Sequence, residues 1–395
     1  MPKHIALILA QPPGYSETFF RSKIKCLQDA GFTVCLYVQQ ASSAFDDCTV
    51  HVMPKVHSNP IRQVFAMVLV FLGLLPYLRR VLRFIQLERA SGRKGSQLVK
   101  NIYTNAVLLK SDADWLHFGF ATLAIQREQV AKAIGAKMAV SLRGFDVAIF
   151  PLKHPGCYKT LWQQVDKVHT ISDDLLACAY RTGLSVDKPV VKITPAIALD
   201  VFTNNKYLET YLGQPIKLLT VARLHWKKGF IATLEALAIL KHKGMDFEYT
   251  IVGQGDEHEA ICFAIHQLGL SDRVRLLGVQ TPQDVRDLMA TSDVYLQYSI
   301  SEGFCNAVLE AQAMGLLCVV SDAEGLAENV IHGKTGWVVP KLQPKALAAT
   351  LLAVINLPRT EQQGYRERAV ARVKTEFNLE QQAEEFVRFY ESKCW

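Results

Sequence analysis

The sequence predicts an α/β protein made of two doubly wound domains. Three observations carry this. Short runs rich in β-branched and aromatic residues alternate with longer helical patterns along most of the chain. The alternation pauses once, between Thr194 and Pro215, where Pro195, Asn204, Asn205, Gly213 and Pro215 fall without a clear strand. The 395 residues, 50% hydrophobic and 21% charged, are too many for one ordinary domain and ample for two cores. The same composition excludes disordered and collagen-like chains.

The elements follow in order. Strand-like runs fall at 4–9, 33–38, 115–118, 137–142, 167–171 and 190–193, and form the first domain, residues 1–200. A second set falls at 217–221, 248–252, 273–277, 294–297 and 317–320, within a second domain spanning 214–358. Helical segments separate most successive strands, which calls for parallel sheets covered by helices, not a sandwich or bundle. Beyond Pro358 the pattern is helical, with Tyr365, Ala369, Val373, Phe377, Ala383, Phe386, Val387 and Tyr390 as its apolar positions. These C-terminal helices, residues 359–395, must bury a face, and a crossing back to the first domain is expected. No internal repeat or low-complexity segment appears.

Charge and cysteine usage narrow the class. The net charge is +7. Residues 1–200 hold 24 basic and 14 acidic side chains, against 20 and 23 in 201–395. Residues 51–110 alone hold ten Lys/Arg and a single acid, Glu88. That asymmetry calls for an anionic surface or ligand near the first half. A nucleic-acid partner is not expected, because the basic residues are interleaved with a long apolar run and no binding motif occurs. The nine cysteines form no CxxC pair, which argues against zinc ribbons and thioredoxin chemistry. Their odd number, without a secretory-type leader, fits reduced thiols and a cytoplasmic location.

The apolar run at 64–75, extended through Leu78, is shorter than the ~20 residues that span a bilayer. Gly73 and Pro76 interrupt it. In the helix that follows, Leu78, Val81, Leu82 and Ile85 share one stripe, while Arg79, Arg80, Arg83 and Arg89 lie largely off it. That is the form of an interfacial helix. Residues 61–90 are therefore expected to dock peripherally on an anionic membrane surface at its cytoplasmic face.

The richest chemistry lies at 299–311. A strand at 294–297 runs into a loop carrying Glu302, and a helix starts near Asn306 with Glu310 one turn inside it. In doubly wound sheets, ligands bind beyond the carboxyl ends of the strands. A helix N-terminus there offers open N–H groups and partial positive charge to a phosphate. Glu302 and Glu310 stand at most ~12 Å apart along such a helix. That span suits a ligand with hydroxyls at both ends and a diphosphate between. Arg223 leaves the first strand of the second domain, and Lys228 opens its next helix. Two cations there can neutralise a diphosphate without a metal. Gly253 and Gly255 end another strand and would let backbone approach a ligand. The GxG is no dinucleotide fingerprint, because no third glycine follows at the required spacing.

Together these residues resemble the family-4 retaining glycosyltransferases of the GT-B fold. The matching pieces are Glu302 and Glu310, Arg223 with Lys228, and the strand end at Gly253; the segments around Gly278 and Asp293 also fit. In the first half, the segments 16–19, 116–119 and 143–146 resemble the exopolysaccharide branch, the colanic-acid-type transferases. The resemblance implies two Rossmann-like domains facing across a cleft. It implies a nucleotide-diphospho-sugar donor held mainly by the second domain, and no cofactor. Glu310 would bind ribose hydroxyls and Glu302 sugar hydroxyls. Arg223 and Lys228 would hold the diphosphate, with backbone N–H groups of Asn306, Ala307 and Val308. Gly253 and Gly278 would line the nucleotide. A saccharide or lipid-linked acceptor would enter beside Gly14, Tyr15, Ser16, Glu17 and Thr18. Arg143 stands where the family commonly has a histidine, and a guanidinium cannot act as a base at neutral pH. Arg143 would hold phosphate or a sugar hydroxyl instead, and His117 is the other candidate in catalysis. A metal is not expected: Asp112 and Asp114 precede a strand and so lie at the wrong edge of the sheet. The alternatives are a sugar-nucleotide epimerase of the same fold and a non-catalytic member of a polysaccharide assembly complex.

Overall fold

The computed structural model describes residues 3–14, 18–40, 45–204 and 215–391. They form two units, one of Met1–Ile193 with Ala383–Trp395 and one of Thr194–Gln382. In the first unit the strands are β1 (His4–Ile8), β2 (Thr33–Val38), β3 (Thr49–Val52), β4 (Trp115–Phe118), β5 (Lys137–Ser141), β6 (Lys167–Thr170) and β7 (Val190–Lys192). They make one sheet in the order β3-β2-β1-β4-β5-β6-β7, parallel throughout. In the second unit β8 (Ile216–Val221), β9 (Phe247–Val252), β10 (Val274–Leu276), β11 (Val294–Gln297), β12 (Leu317–Ser321) and β13 (Trp337–Val339) form a sheet ordered β10-β9-β8-β11-β12-β13, also parallel.

The inner strands β4, β6, β11 and β12 are buried at every position, because helices cover both faces. Two strands were not expected from the sequence. β3 and β13 are edge strands of four and three residues, most of them half-exposed or exposed. Their period is too short to stand out from the surrounding loops.

The last helix, Leu379–Glu391, contributes Phe386, Phe389 and Tyr390 to the core of the first unit, beside Ile5, Leu7 and Trp115. Its final carbonyls are capped by two lysines of the sheet. Lys167 Nζ donates to the Phe389 carbonyl and Lys3 Nζ to that of Tyr390, each at 2.7 Å. Cations suit a helix C-terminus.

His117, expected in catalysis, belongs to this packing. It is fully buried on β4 among buried polar partners, and a structural role accounts for it. A chain of hydrogen bonds runs through it. His169 Nε2 donates to the Ile193 carbonyl at 3.0 Å, which leaves His169 Nδ1 as acceptor. Ser141 Oγ lies 2.8 Å from that nitrogen and 2.8 Å from His117 Nε2. Ser141 therefore donates to His169 and accepts from His117. His117 Nδ1 in turn accepts from the Tyr390 hydroxyl, 2.6 Å away. With both imidazoles neutral every member of this chain is satisfied. Burial, then the nearby Lys23, holds His117 well below the usual histidine range; burial, then Arg143, does the same to His169.

The segment expected at a membrane is a bent pair. α2 (Pro60–Leu72) starts under Asn59, whose Oδ1 accepts from the N–H groups of Ile61 and Arg62. Proline opens the helix and Gly73 ends it. α3 (Leu78–Ala90) follows a short turn, and the chain bends by 54° between the two. No single helix among the described residues is long and apolar enough to cross a membrane. The expected stripe on α3 is corrected in part. Val81 is buried together with Phe84 and Glu88, and Arg80 is tied to Asp112 at 2.7 Å and to the Ser111 carbonyl at 2.9 Å. The exposed apolar face belongs instead to α2, which buries none of its residues.

Acid should loosen the first unit. Unfolded histidines titrate near pH 6.5, whereas His117 and His169 stay neutral when folded. The unfolded chain then binds more protons below that pH, so stability falls as pH drops, by up to ~1.4 kcal/mol per pH unit for each histidine. Thermal unfolding followed from about pH 7.5 to 5.5 should show a falling midpoint. His117→Gln should start lower and fall less steeply. A flat midpoint in the wild type would contradict the neutral network.

Candidate functional site

The second unit gathers most of the expected ligands at the carboxyl edge of its sheet. β8 ends at Val221, and Arg223 stands exposed just beyond. No partner among the described residues takes its guanidinium. A single 3₁₀ turn, Trp226–Lys228, follows. The turn is pressed against the end of β11. At Gly229, φ is +65° and a Cβ would lie 2.1 Å from the Tyr298 carbonyl oxygen. The Ile300 N–H donates to the Lys227 carbonyl at 2.6 Å. This contact brings Lys228 to Glu302, and the two form an ion pair with side chains 19% and 15% exposed. Burial pulls the Lys228 ammonium down, but the Glu302 carboxylate more than reverses this. Both residues were expected to stand open to a donor; here they satisfy each other.

The loop that carries Glu302 is held by residues the sequence did not single out. Glu302 N–H donates to Glu324 Oε2 at 2.7 Å. Lys341 Nζ donates to Glu324 Oε1 at 3.2 Å and to the Ile300 carbonyl at 3.0 Å. Asn329 holds the helix start as a strand neighbour would: Cys305 N–H donates to its Oδ1 at 3.1 Å, and its Nδ2 donates to the Cys305 carbonyl at 3.0 Å. Glu324, Asn329 and Lys341 are far from Glu302 in sequence and belong to no local pattern.

Helix Asn306–Ala313 begins at Cys305 without a side-chain cap. The N–H of Val308 already donates to the Cys305 carbonyl at 3.2 Å, and Val308 is fully buried. The expected phosphate contact there is therefore corrected to the N–H groups of Asn306 and Ala307. Both residues are half-buried. Glu310 lies one turn on, also half-buried, and burial pushes its carboxyl up to about 7. No donor among the described residues reaches that carboxylate.

The glycines have a different task from the one expected. At Gly253, φ is +137° and a Cβ would lie 2.0 Å from the Ala222 carbonyl oxygen; at Gly255 it would lie 2.2 Å from that of Leu224. They let the ends of β9 and β8 touch, so the close approach is to protein backbone. Gly278 accepts from the Gly253 N–H through its carbonyl at 2.8 Å, and space is open where its side chain would be.

The first unit holds the other candidates. Arg143 follows β5, with its guanidinium 4.2 Å from the centre of the Phe19 ring. Buried Asp146 clamps its loop, accepting from Arg143 N–H at 2.8 Å and Ala121 N–H at 2.6 Å. Gly14 is exposed, and Thr18 opens helix α1 (Thr18–Asp29). Tyr15, Ser16 and Glu17 lie outside the described residues. Asp112 is engaged with Arg80, and Asp114 accepts from the His4 N–H at 2.8 Å. Among the described residues, no group of three His, Cys, Asp or Glu side chains is placed to hold a metal ion.

Two parallel α/β units, one with Arg223 and an uncapped helix start at its carboxyl edge, have the make-up of the GT-B fold. Residues 209–372 match the family model described as glycosyl transferases group 1. Over 300 residues, 73% of each chain, the protein is 30% identical to the amylovoran biosynthesis glycosyltransferase AmsK of Erwinia amylovora. It is 28% identical to WcaL of Escherichia coli, a putative colanic acid biosynthesis glycosyltransferase, over 69% of this chain and 68% of that one. Its fold matches that of Anabaena HepE in complex with UDP, with a TM-score of 0.75 over 99% of this chain and 100% of that chain at 15% identity. The chain belongs to the group 1 glycosyltransferases, and it is related to the exopolysaccharide-synthesis enzymes among them. Neither the epimerase nor the non-catalytic alternative is favoured by these relatives.

Glu310 should trade stability for binding. Its folded carboxyl titrates near 7 against an ordinary value of 4.5, so the folded state keeps a proton that the unfolded chain loses in between. Stability therefore falls as pH climbs from about 4.5 to about 7, by on the order of 1–3 kcal/mol, and stays reduced above. Glu310→Gln should melt higher than wild type at about pH 8, match it near pH 4, and bind donor more weakly. Equal midpoints at both pH values would show that the carboxyl is not desolvated.

Proposed function

We propose that this glycosyltransferase moves a sugar, with retention, from a nucleotide-diphospho-sugar to a saccharide or lipid-linked acceptor of cell-surface polysaccharide synthesis. The Glu310 carboxylate carries this reading: it is desolvated, lacks a protein donor, and stands one turn inside an uncapped helix start. Ribose hydroxyls would complete it. The open N–H groups of Asn306 and Ala307 and the guanidinium of Arg223 would meet the diphosphate. Donor phosphate would draw Lys228 away from Glu302, which frees that carboxylate to accept from sugar hydroxyls. The UDP bound by HepE supports a nucleotide diphosphate donor here. As the glycosidic bond breaks, charge grows on the leaving diphosphate, and fixed cations there lower the barrier. Arg143 would serve transfer as a cation, never as a base. No resident metal or cofactor is needed for this charge balance.

Two variants test the assignment. Arg223→Ala should lower kcat at least ~10-fold, or ~1.4 kcal/mol, because its charge is worth most as the bond breaks. Glu310→Ala should raise KM for the donor more than it lowers kcat, because ribose is remote from that bond. Both should be assayed in EDTA, where wild-type transfer is expected to persist. Wild-type kinetics in both variants, or strict dependence on Mg2+ or Mn2+, would sink the assignment.

We also propose that the enzyme works peripherally on the inner face of the cytoplasmic membrane. The apolar stripe of α2 at Ile61, Val64, Phe65, Val68, Leu69 and Leu72 repeats at helical spacing and is 50–80% exposed. Lys55, Arg62, Arg79, Arg83, Arg89, Lys94 and Lys100 are exposed in the same segment. Its one acid, Glu88, is fully buried. An apolar stripe among unopposed cations suits an anionic lipid surface. In liposome flotation, binding should need anionic lipid and weaken with salt. Phe65→Asp with Val68→Asp should abolish it, and Arg79→Glu with Arg83→Glu should weaken it. Equal recovery on neutral and anionic liposomes, or no flotation, would remove the membrane claim and leave the donor site standing.

A further inference from the structure

Beside the bent pair lies an apolar cavity of about 220 Å³ that glycosyl transfer does not use. Every side chain lining it is aliphatic or aromatic. Leu74 and Val81 form its buried floor, and Leu75, Leu78 and Val99 form an exposed mouth. Val99 belongs to helix α4 (Gly95–Thr104), so the groove is built by three successive helical pieces. A cavity with no polar lining offers water no hydrogen-bond partner and favours a hydrocarbon guest.

The rim says what that hydrocarbon is attached to. Arg79 and Lys100 are exposed on the two helices that supply Leu78 and Val99. Lys110 reaches the end of α2, where its Nζ would lie 2.8 Å from a Cβ placed on Gly73. Glu88, the one acid between residues 51 and 110, is buried and bonded to Arg93 at 2.7 Å and to Asn101 at 2.5 Å, and the exposed Asp112 is already taken by Arg80 at 2.7 Å. An apolar slot with a lysine at its edge, in a segment rich in exposed cations, is complementary to an amphiphile with one chain end in the slot and a phosphate at the edge.

We propose that this groove is a binding site for a single hydrocarbon chain of a lipid phosphate. The proposal rests on the membrane reading and deepens it. α2 spreads its stripe over the surface, and the groove behind it takes up one chain. A site of this kind would select a membrane-anchored acceptor by its tail, apart from the sugar it carries.

Decyl phosphate, kept below its aggregation concentration in lipid-free buffer, is the probe. Calorimetry should show one saturable site per chain. Butyl phosphate, too short to fill the groove, should bind at least ~10-fold more weakly, and uncharged decyl maltoside should also lose affinity. Val99→Trp, which fills the mouth, and Leu78→Glu, which places an acid in it, should each cost at least ~10-fold in decyl phosphate affinity. Both positions are exposed, so thermal midpoints should stay near wild type, and Val99→Trp should still float with anionic liposomes because the α2 stripe is intact. No saturable binding of decyl phosphate by a chain that floats would overturn the groove and spare the membrane reading. Binding by a chain that never floats would keep the groove and sink the membrane reading. Undiminished affinity in both variants, or equal affinity for butyl phosphate, would show that the chain sits elsewhere.

Discussion

The turn after β8 can lie against the end of β11 only because residue 229 has no side chain. A Cβ at Gly229 would stand 2.1 Å from the Tyr298 carbonyl oxygen, far inside any real contact. The φ of +65° there is a second reason for glycine. From this approach follow the bond from Ile300 to the Lys227 carbonyl, the placement of Lys228 on Glu302, and the route of the chain from β11 to the helix at Asn306. Glu324, Lys341 and Asn329 then hold that route from the far side of the sheet edge. The candidate site is thus a set of loop ends braced against one another, with its geometry set by backbone approach.

The Lys228–Glu302 pair gives this edge a neutral resting state. Two half-buried opposite charges that meet each other cost less than either alone would. On the proposed donor reading, an incoming diphosphate would offer Lys228 a stronger counter-charge and expose Glu302 at the same moment, so phosphate binding and readiness for sugar hydroxyls would be coupled through one broken contact. Glu310 differs, because no protein group relieves it. On the proposed donor reading, ribose hydroxyls would relieve it, and it would be the point where the fold gives up stability for recognition.

Much of this was legible in the sequence, and the failures have physical causes. Continuous apolar runs marked the inner strands because both of their faces are covered, whereas β3 and β13 are edge strands too short to show a period. Arg223, Glu302 and Glu310 follow strand ends or open a helix, so pattern alone placed them on one edge. Gly253 was read as room for a ligand, yet its freedom serves the Ala222 carbonyl; a glycine shows that something approaches closely, not what. His117 was read as a polar group facing the cleft. Its partners Ser141 and Tyr390 are 24 and 273 residues away, and no local signal announces a polar group buried among such distant elements.

The basic segment shows how burial can shape a surface as much as exposure does. Glu88 is the one acid between residues 51 and 110, and Arg93 and Asn101 hold it inside the fold. Arg93 also takes Glu128 at 2.8 Å, so its own charge is spent within the same cluster. Apart from the exposed Arg80–Asp112 pair, the ionic pairing of this region is internal, and most of what reaches the surface is cationic. Isolated in water, such a surface repels itself, and the apolar stripe of α2 beside it is a liability for association. The two features offset each other against one kind of neighbour, which is anionic at its face and apolar just beneath. A lipid bilayer has that layering, and a polypeptide partner would have to reproduce it side chain by side chain.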